Sequence, residues 1–193
     1  MPSLSLQRWF AERAESLDEL ERAHRALRGS GPGVRTAMLQ INQAYTMMLS
    51  GQFQGYCRDF HEECADYLIR PITDPNLFKM VSFNLAFGRK LDRGNPNPGN
   101  IGSDFDRFGV GFWPMVLAHR SQNLTRKAAL EELNEWRNAV AHQDFAPAML
   151  LAGRPHLQLG QVQAWRAACD GLARSFDDIM RTTIQTRTGT VPW

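Results

Sequence analysis

Arg137 and His142 close the segment NLTRKAALEELNEWRNAVAH, with Asn138 directly after the arginine. Histidine titrates near neutrality and can take or give a proton. Arginine is a permanent cation whose forked donors suit phosphate and a developing oxyanion. An asparagine beside them can orient an imidazole or bind a phosphate oxygen. On a helix, at about 100° per residue, Asn138 and His142 share a side roughly opposite the stripe Leu130, Leu133, Trp136 and Val140. Arg137 sits at the flank of that stripe, about 140° around the axis from His142. One helix therefore does not easily aim both groups at one point. A long arginine can reach round, or two copies of the helix can meet across a two-fold axis. An Arg…His pair at this spacing also arises by chance, so the pair alone carries little.

Cys57, His61 and Cys64 form a second constellation, at i, i+4 and i+7, where a soft metal could be held. The same side carries Phe53, Tyr56, Phe60, Tyr67 and Leu68, which makes it the apolar face of a helix. Cysteine is a common core residue. No second ligand pair at metal-like spacing exists elsewhere, and HEECA lacks the second histidine of a zincin. Neither a metal nor another cofactor is expected. The opposite side holds Arg58, Asp59, Glu62, Glu63 and Asp66. It reads as a solvated surface or, less simply, as acids reaching an arginine on a neighbouring helix.

The elements that must position these groups are helical. Residues 4–28 read as a helix, ended by the breaker cluster Arg28–Gly33. A second helix spans about Arg35 to Ile69, interrupted or bent at Ser50-Gly51 and closed by Pro71. A third runs from Pro75 to Lys90 with Asp74 as N-cap and Pro75 in the first helical position. Gly94–Asn100 is the most loop-like stretch, exposed and available to a ligand. A short helix over Asp104–His119 is weakened by Gly109, Gly111 and Pro114. Residues 123–142 form a strong helix with Asn123 as a cap. LLAGRPHLQLG is a loop or short hairpin, Gln161–Thr186 a final helix, and residues 187–193 a flexible tail. Phe112, Trp113 and Met115 serve the core or an interface. No repeat and no sustained period-two run is present. The fold class is all-α: one domain over residues 1–193, a bundle of four to five main helices with an extra N-terminal helix over residues 1–30.

Bulk composition narrows the classes. The 193 residues are 43% hydrophobic and 22% charged, with a net charge of +2. That is too apolar for a disordered chain. No apolar run approaches the roughly 18 residues that span a bilayer, so no membrane partner is expected. No secretory signal opens the sequence, and three cysteines cannot all pair within the chain, so a cytoplasmic location is expected. A pI of about 8.6 falls short of a strongly basic nucleic-acid footprint. The cations are nearly all arginine; forked donors suit phosphate, but a GC-rich genome is the simpler cause of the bias.

The string RNAVAH resembles the Arg-x4-6-His motif of the HEPN superfamily, with its polar residue after the arginine. FQGYCRDFHEECADYL is similar to the acidic, aromatic helix that precedes the motif in the RiboL-PSP-type HEPN group. LQLGQVQAWRAACDGLARSFDDIM is similar to the closing helix of that group. The resemblance covers roughly residues 35–182. It implies a HEPN-like helical bundle that forms a homodimer with its two motifs facing one another. It implies a metal-independent endoribonuclease of a defence or toxin–antitoxin system, with RNA as substrate and an antitoxin protein as a possible partner. Arg137, His142 and Asn138 take the catalytic positions. Glu62 or Glu63 would be a supporting acid, with Arg58 on the same polar side. The alternative is a non-catalytic HEPN-type nucleotide-binding or assembly module, partnered with an antitoxin or nucleotidyltransferase. A third reading is an unrelated helical ligand-binding bundle.

Overall fold

The computed structural model describes residues 1–29 and 31–193; Ser30, inside the expected breaker cluster, lies outside the described residues. The described chain is all-helical apart from one two-stranded hairpin. Helix α1 (Leu4–Arg8) runs through a π-helical turn at Trp9–Arg13 into α2 (Ala14–Ala26). Helix α3 (Pro32–Ile69) follows, then α4 (Pro75–Ala86), α5 (Pro98–Phe105), α6 (Phe112–His119) and α7 (Asn123–His142). A hairpin of β1 (Leu150–Leu151) and β2 (Arg154–Pro155) leads to α8 (Leu159–Thr188). No helix among the described residues is long and apolar enough to cross a membrane.

Local chemistry explains most boundaries. Asp74 caps α4. Its carboxylate accepts from the amides of Asn76 and Leu77 at 3.0 Å and 2.7 Å. Pro75 occupies the first turn, where its missing N–H costs nothing. The helix ends at Ala86, earlier than the expected Lys90. Gly88 then adopts φ 70°, a conformation open to a residue without a Cβ. Ser50-Gly51 does not break α3, which runs unbroken for 38 residues. The Ser50 hydroxyl faces the core, and one glycine costs a helix only about 1 kcal/mol. Asn123 does not cap α7. It is buried, and its Nδ2 donates to Val116 O and Ser175 Oγ at 2.7 and 3.1 Å. The tail is not loose at its end: the Trp193 indole donates to Asp177 Oδ2 at 3.1 Å and packs edge-on against Phe60 and Tyr67.

The core is aromatic and centres on α3 and α8. Trp9, Phe53, Tyr56, Phe60, Phe105, Phe112 and Phe176 are all buried. Tyr56 donates to Ala173 O at 3.0 Å, and Arg166 on α8 reaches the Tyr45 hydroxyl on α3 at 3.2 Å. The two helices therefore run parallel. Helix α7 runs antiparallel to α8, since Glu132 accepts from Trp165 Nε1 at 2.9 Å and Arg126 lies over Gly171. Phe112 is fully buried, while Trp113 and Met115 are partly buried against the core. Trp113 packs on α5 at Gly102 and donates from Nε1 to Pro98 O at 2.6 Å.

Cys57, His61 and Cys64 are core residues. Burial pushes both thiols well above their ordinary pKa, because a thiolate is poorly solvated there. His61 stacks on Phe108 at 4.5 Å between centroids and lies 3.1 Å from Asp104 O through Nε2. Burial, with Arg89 nearby, pushes its imidazole down to about 4. A neutral histidine in the folded state resists protonation that the unfolded chain accepts near its ordinary value. Its contribution to stability is thus present above pH 6.5 and lost as pH falls towards 4. Denaturant melts should lose about 3 kcal/mol across that window, and His61→Gln should flatten the slope between those pH values. Gly102 offers a second check. A Cβ there would lie 2.8 Å from the Trp113 ring. Overpacking of this kind costs about 2 kcal/mol. Gly102→Ala should therefore lower the melting temperature by roughly 4–8 °C.

Candidate functional site

The last two turns of α7 carry the site. Leu130, Leu133, Trp136 and Ala139 are buried against α3 and α8, which fixes the helix about its axis. A buried amide locks the register as well: Asn134 Nδ2 donates to Leu130 O and Pro96 O at 2.8 and 3.2 Å. Ser50 Oγ approaches Asn134 Oδ1 at 3.5 Å. With that face inward, Asn138 and His142 are exposed and Arg137 is half-buried. The helix ends at the histidine. Gln143 takes a left-handed conformation at φ 54°. Asp144 N then donates back to Ala139 O at 3.1 Å, a common way to close a helix C-terminus.

Asn138 is the hub. Its Oδ1 accepts from Arg137 Nη1 at 3.2 Å and from Asn95 Nδ2 at 2.6 Å. Asn95 belongs to the segment expected to be an exposed loop. Only Gly94–Asn97 is loop; Pro98 starts α5, and Asn97 caps it by accepting from Asn100 N at 2.8 Å. Pro96 and Pro98 are buried, and Gln54 Nε2 donates to Leu91 O and Gly94 O. This segment braces α7 instead of reaching into solvent.

Asn138 and His142 line an open recess of about 360 Å³ with Glu135, Ala139, Asp144, Ala146 and Met149. Arg137 does not line it. Within one chain, the arginine and the histidine are joined only through Asn138, which bonds the first and flanks the second. Among the described residues neither Arg137 nor His142 has a carboxylate partner, so both are available to an external anion.

The supporting residues named from the sequence stand elsewhere. Glu63 caps α1, accepting from the amides of Leu4 and Ser5 at 2.9 Å each and from Ser5 Oγ at 2.6 Å. Glu62 accepts from Arg89 Nη2 at 2.8 Å, and Arg58 Nε lies 3.2 Å from Asp92 Oδ1. Asp59 accepts from Arg13 at 2.7 Å. The polar side of α3 is thus a set of tethers between elements, the less simple of its two sequence readings. Ser50 lies beside Asn134, and α3 and α7 run in opposite directions. At the helical rise per residue, Glu62 is about 18 Å beyond that point along α3. His142 is about 12 Å beyond it the other way, which puts the two about 30 Å apart along the bundle. Glu62, Glu63 and Arg58 therefore do not support His142.

The acids that do share its recess are Glu135 and Asp144. Glu135 was legible in the sequence, at i, i+3 and i+7 with Asn138 and His142, on one side of the helix. Asn95 had no such signal, because its contact spans 43 residues of chain.

Compared with known proteins, the chain matches no protein-family profile, no curated protein and no solved structure.

Proposed function

We propose that the chain is a metal-independent endoribonuclease of the HEPN type, acting in a defence or toxin–antitoxin system. The observation that carries this reading is an arginine and a histidine together at the end of α7. Arg137 and His142 are left without acidic partners among the described residues, with one asparagine between them. The motif RNAVAH supplies the chemical type. In the reaction, the 2′-hydroxyl oxygen of RNA attacks the adjacent phosphorus and the bond to the 5′-oxygen breaks. A base removes the 2′-hydroxyl proton, and an acid protonates the departing oxygen. His142 serves one of these proton transfers. Arg137 stabilises the added negative charge on the phosphoryl oxygens. Asn138 holds the arginine's guanidinium. The products are a 2′,3′-cyclic phosphate and a 5′-hydroxyl.

The split between Arg137 and the recess of His142 favours a homodimer in which the arginine of one copy faces the histidine of the other. Cleavage of RNA in the presence of a chelator should be abolished by His142→Ala and by Arg137→Ala. Mixing the two inactive variants through a denaturation and refolding step should restore about a quarter of wild-type activity. Half of the dimers are then mixed, and each mixed dimer has one intact composite site of two. No recovery on mixing, or a monomer by light scattering at micromolar concentration, would sink the composite site. Equal persistence of RNA with wild type and His142→Ala would sink the enzyme.

A second reading, an assembly module, is favoured by α4. Leu77, Phe78, Met80 and Phe83 are exposed on it, and Phe87 at its end stacks on Phe83 at 4.8 Å. Such a face fits a protein partner. Expression of the wild type without toxicity, together with loss of a co-purified partner in Phe83→Glu, would favour this reading over the first.

A further inference from the structure

A second cavity, which shares no lining residue with the recess of His142, lies at the start of α3 and the β1–β2 hairpin. It measures about 690 Å³, within the range of small-molecule sites. Its walls come from the first turns of α3, from His24 on α2, and from the chain between β2 and α8. The apolar lining is aliphatic: Met38, Leu39, Leu151, Leu157 and Leu159, with two prolines and no Phe, Tyr or Trp. Arg35, Arg154, His24 and His156 supply all of its titratable groups; no carboxylate lines it. Neither arginine forms an ion pair among the described residues. Pro32 opens the 38-residue α3 here, and no side chain among the described residues caps that end. The helix start adds its partial positive charge.

Two unpaired buried polar atoms belong to this same wall: Asn42 Oδ1 and His24 Nδ1. Asn42 is 3% exposed, and its Nδ2 donates to Leu157 O at 2.9 Å. That bond fixes the amide; its Oδ1 has almost no accessible surface, so it lies sealed behind the lining and is not a contact point for a ligand. Burial also holds the His24 imidazole below its ordinary value, with Arg25 adding to the effect. His156 is engaged by Gln158 at 2.9 Å.

A complementary ligand needs an aliphatic body and an oxyanion for the two arginines. A nucleotide base would instead find no aromatic face to stack on. We infer that this cavity binds a carboxylate on an aliphatic body, the chemistry shared by a free N-acylated aliphatic amino acid and the C-terminus of an aliphatic peptide. The site does not depend on the ribonuclease reading, because its readout is binding alone.

The test is calorimetric titration of the full chain with N-acetyl-Leu-Leu and with its C-terminal carboxamide. The carboxylate should bind saturably and at least about tenfold more tightly than the carboxamide. Arg35→Ala with Arg154→Ala should remove the carboxylate's advantage over the carboxamide while leaving the melting temperature unchanged. Both arginines are exposed, so the fold does not rest on them. A ten-residue peptide with the same end distinguishes the sources: tighter binding by about tenfold assigns a protein tail, and equal binding assigns the free acylated amino acid. The inference is overturned by no binding of the carboxylate up to about 10 mM. It is equally overturned by a carboxamide that binds as well, or by adenosine 5′-monophosphate displacing the carboxylate with higher affinity.

Discussion

The rotational setting of α7 is the constraint on which the candidate site depends. Turning the helix by one residue, about 100°, would expose Leu133 and Trp136 and push Glu135 towards the core. Each large apolar side chain lost from the core costs about 2 kcal/mol, and a buried unpaired carboxylate costs more. Asn134 narrows the choice further, since its amide meets Pro96 O only in the observed register. The outward placement of Asn138 and His142 is therefore a consequence of packing one and two turns earlier in the same helix. Nothing at the surface has to hold them there.

The same packing keeps Arg137 and His142 apart within one chain. Both are at or near the surface, where a solvated polar group without a protein partner costs the fold little. Arg89 shows the contrast. It is 6% exposed, and its guanidinium is held by Glu62 and Asp92 at 2.8 and 3.0 Å. Desolvation opposes its charge, and these hydrogen bonds outweigh that cost. Arg13, Arg89 and Arg166 are partly or largely buried and each is paired with an acid, joining the π-helical turn to α3, the segment after α4 to α3, and α8 to α2. Arg35, Arg137 and Arg154 have no acidic partner among the described residues; Arg35 and Arg154 line the aliphatic cavity, and Arg137 lies one residue from Asn138 of the recess.

Periodicity made the long elements legible. The span of α7 agrees with the apolar repeat because its buried residues recur every three to four positions without competition, the spacing that defines one helix face. Asp74-Pro75 marked the start of α4 through a capping geometry that is purely local. What the sequence concealed were contacts closed by distant partners. Asn123 looks like a cap in one dimension, but Ser175 and Val116 claim its amide. Glu62 and Glu63 look like free acids until Arg89 and the start of α1 arrive from 27 and 58–59 residues away. The Asn/Pro segment reads as open loop because the Asn134 and Trp113 side chains that cover its carbonyls are not visible beside it. For the site, the pairing of Asn138 with His142 could be read from helical spacing, whereas the bracing by Asn95 could not.

The connection from α7 to α8 separates the recess of His142 from the aliphatic cavity. Met149 lines the recess, Leu151 and Arg154 line the cavity, and His156 N donates to Met149 O at 2.9 Å between them. The two non-glycine residues with positive φ among the described residues, Gln143 at 54° and Ala152 at 50°, both lie on this stretch. Ala152 and Gly153 are both at positive φ, as a tight two-residue turn of this hand requires. Left-handed conformations cost a residue with a Cβ roughly 1–2 kcal/mol relative to its preferred state. Glycine would adopt either position with less strain, so the surrounding packing and hydrogen bonds must hold both residues in place. A group filling the cavity would contact the Ala152 turn through Leu151 and Arg154, and Met149 is hydrogen-bonded to the far end of the same hairpin. The connection from α7 to α8 thus borders both concave features, with one left-handed residue just after His142 and one in the hairpin turn.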